Sequence, residues 1–180
     1  MYFIILGIVI LILLFILIEL LLKNRFQDNI IRINEAENNI DILLLKKLHL
    51  LEKAIKKIED SDEKYINEGL SDKLIKLKNK NCDNFEMNKE LDIIKANYKE
   101  LLELDSKLET IEEIVNINFE MIDIENELKA AKKYYNKYIV PYNRLAKRFP
   151  SNIIAKLCHY DTKKEYFDEK IVDLEILKEK

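Results

Sequence analysis

Hydrophobic and polar positions divide the chain into one continuous apolar run followed by a long series of amphipathic segments. The run is Tyr2 to Leu22, YFIILGIVILILLFILIELLL, 21 residues with Glu19 as their one charge. As a helix it covers roughly 31 Å, the thickness of a bilayer's hydrocarbon core, so it reads as a transmembrane helix. Beyond it the apolar residues recur at steps of three and four, the period of one helix face. Ile33, Ile40, Leu44, Leu48, Leu51, Ile55 and Ile58 continue the first helix without a Pro or Gly to separate them from the run, and Asp60, Ser61 and Asp62 end it as a polar turn. A second helix is expected over Glu63 to Lys78, with Ile66, Leu70, Leu74 and Leu77 inward and Gly69 as a weak interior position. The turn-forming stretch NKNCDN at Asn79 to Asn84 precedes a third helix from Phe85 to Leu108, facing inward through Leu91, Ile94, Tyr98, Leu101, Leu104 and Leu108. The fourth begins at Thr110, an N-cap with Glu113 as capping-box partner, and runs to Arg148. Its inward positions are Leu128, Ala131, Tyr135, Tyr138, Tyr142, Leu145 and Phe149, and Pro141 predicts a kink over residues 137 to 141. Phe149-Pro150 ends it, and Ser151 or Asn152 can cap a short helix to Leu157.

The pattern therefore predicts an all-α chain, an N-terminal transmembrane helix continuing into an antiparallel bundle of about four long helices. Residues 2–22 would be the span, 23–158 the bundle, and 159–180 a charged tail with helical potential through Tyr166, Phe167, Ile171, Leu174 and Leu177. Composition agrees: 48% hydrophobic and 35% charged residues with two Gly and two Pro favour long amphipathic helices over strands.

The apolar run lacks the basic n-region, the short h-region and the small-residue cleavage site of a signal peptide, so retention as an anchor is expected. Lys23, Arg25 and Arg32 follow it and no cation precedes it, which places the N-terminus outside and the soluble domain in the cytoplasm. Glu19 could serve as an intramembrane proton or ion site. Three residues from the boundary, it more simply reaches the headgroups or stays protonated.

Charge excludes a global drive toward nucleic acid: without Glu19 the remainder carries 30 basic and 32 acidic residues, a balance of −2. Basic pairs such as Lys132-Lys133 and Lys163-Lys164 read as solvated helix surface. Cys82 and Cys158, 76 residues apart, fit reduced thiols better than a disulfide framework. Cys158 beside His159 has no second pair of ligands for a metal, and His49 stands far away. The acidic residues of Glu112-Glu113 and of Asp123, Glu125 and Glu127 lack the Glu-x-x-His motif of di-metal bundles. Two glycines leave no phosphate-binding loop. No cofactor, small-molecule substrate or catalytic activity is expected.

Tyr135-Asn136 and Tyr142-Asn143 repeat at seven residues, so the tyrosines share one helical face and the asparagines the neighbouring one. Two readings stand: buried groups that specify the bundle by bonding across it, or a polar strip for docking a partner.

The stretch IENELKAAKKYYNKYIVPYNRLAKRFPSNIIAKL, Ile124 to Leu157, resembles the C-terminal signature of the LemA family of bacterial membrane proteins. The resemblance rests on Glu125-Asn126, Ala131, Lys132-Lys133, Tyr135-Asn136, Asn143, Phe149-Pro150-Ser151-Asn152 and Ala155. A second similar stretch follows the anchor at Asn34, Ala36, Ile40, Asp41, Leu44, Lys46 and Leu51. Residues 56–113 are similar only in being helical. The chain departs from the family in Lys132 and Lys133, where arginine is common, in Pro141, and in lacking a Tyr-Pro turn before the last long helix. The resemblance implies a single-pass cell-membrane protein with a cytoplasmic helical bundle, and it brings no reaction or cofactor. The expected role is an interaction or adaptor module whose partners are the bilayer and another membrane or envelope protein. The alternative is a structural, self-assembling membrane-linked oligomer; an enzyme is the least favoured.

Overall fold

The computed structural model describes residues 1–61 and 69–167. Helix α1 runs from Tyr2 to Ser61, α2 from Leu70 to Asn79, α3 from Asn84 to Leu104, α4 from Glu112 to Lys147 and α5 from Ser151 to Leu157, with a 3-10 turn at Leu108–Thr110. Among the described residues there is no strand. The fold is all-α, a long apolar N-terminal helix joined to a helical bundle.

Helix α1 passes from the apolar run into the amphipathic region without a break. None of its most apolar window is buried, which is how a helix solvated by lipid differs from a core helix. All seven inward positions assigned from the sequence, Ile33 to Ile58, are buried. Ser61, the last described residue of the helix, donates its hydroxyl to the Ile58 carbonyl at 2.6 Å. Asp62, Ile66 and most of the expected start of the second helix lie outside the described residues.

Gly69 is not inside α2 but immediately before it, with φ 66°. This left-handed conformation costs a residue with a Cβ about 1 kcal/mol or more, so the glycine sets the entry to the helix. Leu70, Leu74 and Leu77 are buried as expected. Helix α3 starts at an Asp83 cap, whose carboxylate accepts the Glu86 backbone N–H at 2.8 Å. It stops at Leu104, four residues short of the periodicity. Asp105 has extended backbone, and its side chain accepts the Lys107 N–H at 3.0 Å, a local bond that competes with the helix. Leu104 is consequently exposed at 77%, whereas Leu108 is buried from the 3-10 turn. Thr110 also belongs to that turn: its hydroxyl donates to the Lys107 carbonyl at 2.7 Å, and Glu113 instead pairs with Lys57 at 2.8 Å.

Helix α4 continues through Pro141. Its buried face reads Leu128, Ala131, Tyr135, Ile139, Tyr142 and Ala146, while Tyr138 and Leu145 are half-buried and Phe149 is exposed. A strict seven-residue step drifts by ~20° per heptad on a straight α-helix, and the extra step of four from Tyr135 to Ile139 corrects it. Ser151 does not cap α5. Its hydroxyl lies 2.6 Å from the Leu145 carbonyl and 2.8 Å from that of Arg148, satisfying the C-terminal end of α4.

Two compact units share these helices: residues 1–36 with residues 133–167, and the described part of residues 37–132. In the first, Phe26 is fully buried, its ring edge-on to Tyr142 at 5.8 Å between centroids and 5.0 Å from Tyr160. In the second, α2 packs on α3, and the inward faces of α1, α3 and α4 supply the buried side chains.

Candidate functional site

The Tyr-Asn strip lies within the first unit, and all four of its side chains are buried, Tyr135 and Tyr142 at 1% exposure and Asn136 and Asn143 at 4%. Each asparagine pairs with the backbone of a single residue in the segment after α5. Asn143 donates to the Lys164 carbonyl at 2.9 Å and accepts the Lys164 N–H at 2.8 Å. Asn136 donates to the Phe167 carbonyl and accepts the Phe167 N–H at 3.0 Å. A carboxamide presents one donor and one acceptor side by side, as a neighbouring peptide group would.

The spacing explains why two such pairs form. Seven helical residues advance ~10.5 Å, and three residues of extended chain cover about the same distance at ~3.3–3.6 Å each. The tyrosines complete the arrangement. Tyr142 donates its hydroxyl to the Asp161 carbonyl at 2.9 Å, and the Tyr135 ring meets Phe167 edge-on at 5.2 Å. Burial, with Asp161 and Tyr160 nearby, pushes the Tyr142 phenol up to about 12, so it is a neutral donor at physiological pH. The described part of the tail, to Phe167, is thus non-helical and held on α4. The strip bonds to this chain's own backbone, and its partner is the tail rather than an adjacent helix.

The positions near the end of the anchor divide differently. Ile40 and Leu44 are fully buried, whereas Asn34, Asp41 and Lys46 are exposed. The residue that sequence reasoning missed is their neighbour Lys47, exposed at only 2%. Its ammonium lies 2.5 Å from Asp92 and 3.5 Å from Glu125, and Glu125 also pairs with Lys95. This network ties α1, α3 and α4 together inside the second unit. A signal was present: Lys47 fills a place in the series 40, 44, 47, 51, 54, 58, whose other members are all apolar and buried.

In the same unit a groove of about 300 Å³ opens between α3 and α4. Tyr98 in its wall donates to Asn118 at 2.9 Å, and burial drives its phenol up to about 12 against that hydrogen bond. Phe119 and Ile122 on α4 are exposed at 65% and 55%, with Ile122 lining the groove. Cys82 and Cys158 are free thiols, and burial raises Cys82 above the usual thiol range. Cys158 is half-buried beside the exposed His159. Among the described residues no three His, Cys, Asp or Glu side chains are grouped to hold a metal ion.

Glu19 pairs with Lys23 at 2.7 Å, one turn further along α1. The carboxylate, joined by a hydrogen bond, holds the Lys23 ammonium above its ordinary pKa.

No curated protein and no solved structure matches this chain. The model of the LemA family matches residues 36–173, most of the chain, opening two residues past Asn34 and running through both the Lys47 network and the Tyr-Asn strip. With one apolar helix of membrane-crossing length among its described residues, the chain is a membrane protein of the LemA family.

Proposed function

We propose that this protein is a non-catalytic interaction module, a bundle tethered to the bacterial cell membrane that docks another membrane or envelope protein. The observation that carries the reading is the α3–α4 groove with Ile122 exposed in its wall, and Phe119 exposed on the same helix three residues before it. Four of the groove's polar side chains pair with one another, Tyr98 with Asn118 and Lys95 with Glu125. Paired polar groups beside exposed aromatic and aliphatic residues suit docking, and a general base near neutral pH would need a group poised otherwise. A photo-crosslinker placed at Phe119 or Ile122 in cells is expected to give one discrete product with a second membrane or envelope protein. A product containing only two copies of this chain would favour the self-assembling oligomer instead, and no product at either position would sink both readings.

In this proposal residues 2–22 lie in the bilayer, residues 23–158 form the bundle, and residues 159–180 form a C-terminal segment. The cations Lys23, Arg25 and Arg32 support an outside N-terminus and a cytoplasmic bundle. A membrane-impermeant maleimide is expected to leave Cys82 unlabelled in intact cells and to label it after permeabilisation. Slow labelling in both is allowed for by its raised pKa, so the comparison is between the two; equal labelling without permeabilisation reverses the orientation.

A further inference from the structure

We propose that α5 and the end of the membrane-spanning part of α1 form a binding site for an acidic phospholipid, its acyl chain in an apolar groove and its phosphate on three arginines. The inference rests on residues 2–22 being the span and is independent of the α3–α4 groove. The groove, about 40 Å³, is lined from α1 by Phe15, Ile18 and Leu22 together with Glu19, whose carboxylate pairs with Lys23, and from the other side by Pro150, Ile153, Ile154 and Leu157. Seven residues separate Phe15 from Leu22, so the groove lies alongside the last ~10 Å of the span. Helix α5 is therefore placed at the depth of one leaflet, and there its exposed apolar side chains are in place. Ile153 is 46% and Leu157 68% exposed, and Phe149, just before α5, is 80% exposed. In water these would be three unpartnered hydrophobic groups; beside a span they are solvated by acyl chains.

The charge lies where the headgroups are. A cleft of about 350 Å³ is bounded by Arg25 and Asp28 on α1 and by Arg144 and Arg148 at the end of α4. Three guanidinium groups against one carboxylate give it a net charge of +2. Arg25 is three residues past Leu22, ~4.5 Å along the helix, the level of lipid phosphates. Guanidinium forks match phosphate oxygens in two-point hydrogen bonds, and long arginine stems extend to the interface. An apolar slot and a cationic cleft, successive along the same helix, correspond to the two ends of one anionic lipid. Phosphatidylcholine would offer the same chains with its phosphate charge balanced by choline, and free phosphate would lack the chain.

The test uses the full-length protein in a neutral detergent, with lipid retention read by native mass spectrometry. Phosphatidylglycerol is expected to stay bound to the wild type and phosphatidylcholine is not. The variant R25Q/R144Q/R148Q is expected to lose phosphatidylglycerol at least tenfold. The control K46Q/K76Q/K89Q removes the same charge from exposed positions of the other unit and should retain it. Ile153→Asn, a change at an exposed position, is expected to weaken retention in protein whose helicity by circular dichroism is unchanged. Equal retention of the two lipids, or unchanged retention in the arginine variant, overturns the proposal. A lipid-free dimer mass would mean that a second copy covers the groove, and displacement of phosphatidylglycerol by inorganic phosphate at equal concentration would mean that the chain adds nothing; either overturns it.

Discussion

Replacing both carboxylates that face Lys47, as D92N together with E125Q, is expected to destabilise the fold by about 3–5 kcal/mol, whereas Lys47→Met should cost about 1 kcal/mol or less. The asymmetry follows from which partner is out of water. Lys47 is 2% exposed, while the Asp92 side chain is 54% and that of Glu125 31% exposed. Losing the ammonium leaves two hydrated carboxylates, one still paired with Lys95. Losing the carboxylates strands a cation in the core, where it must give up its proton or admit water. Methionine keeps the length of the lysine stem and so fills the same space. Denaturant unfolding followed by circular dichroism measures both, and the triple variant K47M/D92N/E125Q closes the cycle by returning close to K47M. A Lys47→Met variant that is the least stable of the set would show that the pair is worth more than its burial costs.

The second large effect is expected from Asn136→Ala with Asn143→Ala. These substitutions remove the four bonds to the backbone of Lys164 and Phe167 and one from Asn143 to the Tyr166 hydroxyl. A buried peptide group left without a partner costs ~1–3 kcal/mol, and the tail escapes this only by leaving α4. Undocking is thus the expected outcome, read as trypsin cleavage after Lys163 and Lys164 at least tenfold faster than in the wild type. Hydrogen exchange in the α4 segment before residue 133 should stay unchanged. Aspartate at either position supplies the acceptor without the donor and should fail almost as badly as alanine. Tyr142→Phe, which deletes one bond to Asp161, should cost only ~0.5–1.5 kcal/mol. If cleavage of the double alanine variant matches the wild type, the asparagines do not hold the tail.

These two features mark where the sequence stops being legible. Periodicity found the buried face of α1 because burial repeats with the helix whatever lies opposite. It passed over Lys47, since a lysine at an inward position looks the same as a lysine on the surface until its carboxylates, 45 and 78 residues away, are brought beside it. The same periodicity carried α3 too far, to Leu108, because it counts apolar spacing and is blind to an aspartate that bonds its own backbone two residues on. The Tyr-Asn repeat stood out from composition, but its partner is main chain in a tail dense with charge, and a backbone acceptor leaves no trace in side-chain pattern. The family was readable because its signature lies in side chains, Tyr-Asn and Phe-Pro-Ser-Asn at fixed intervals.

The asparagines also decide how freely the tail can change over time. Because Asn143 reads the peptide group of residue 164 and not its side chain, almost any residue is accepted there, and proline alone is barred for want of an N–H. Phe167 is more constrained, its ring being buried against Tyr135. An insertion or deletion between the two positions would be punished more than any exchange, since the helix measures a fixed length of chain. Selection on this segment should therefore act on its residue count before it acts on its composition.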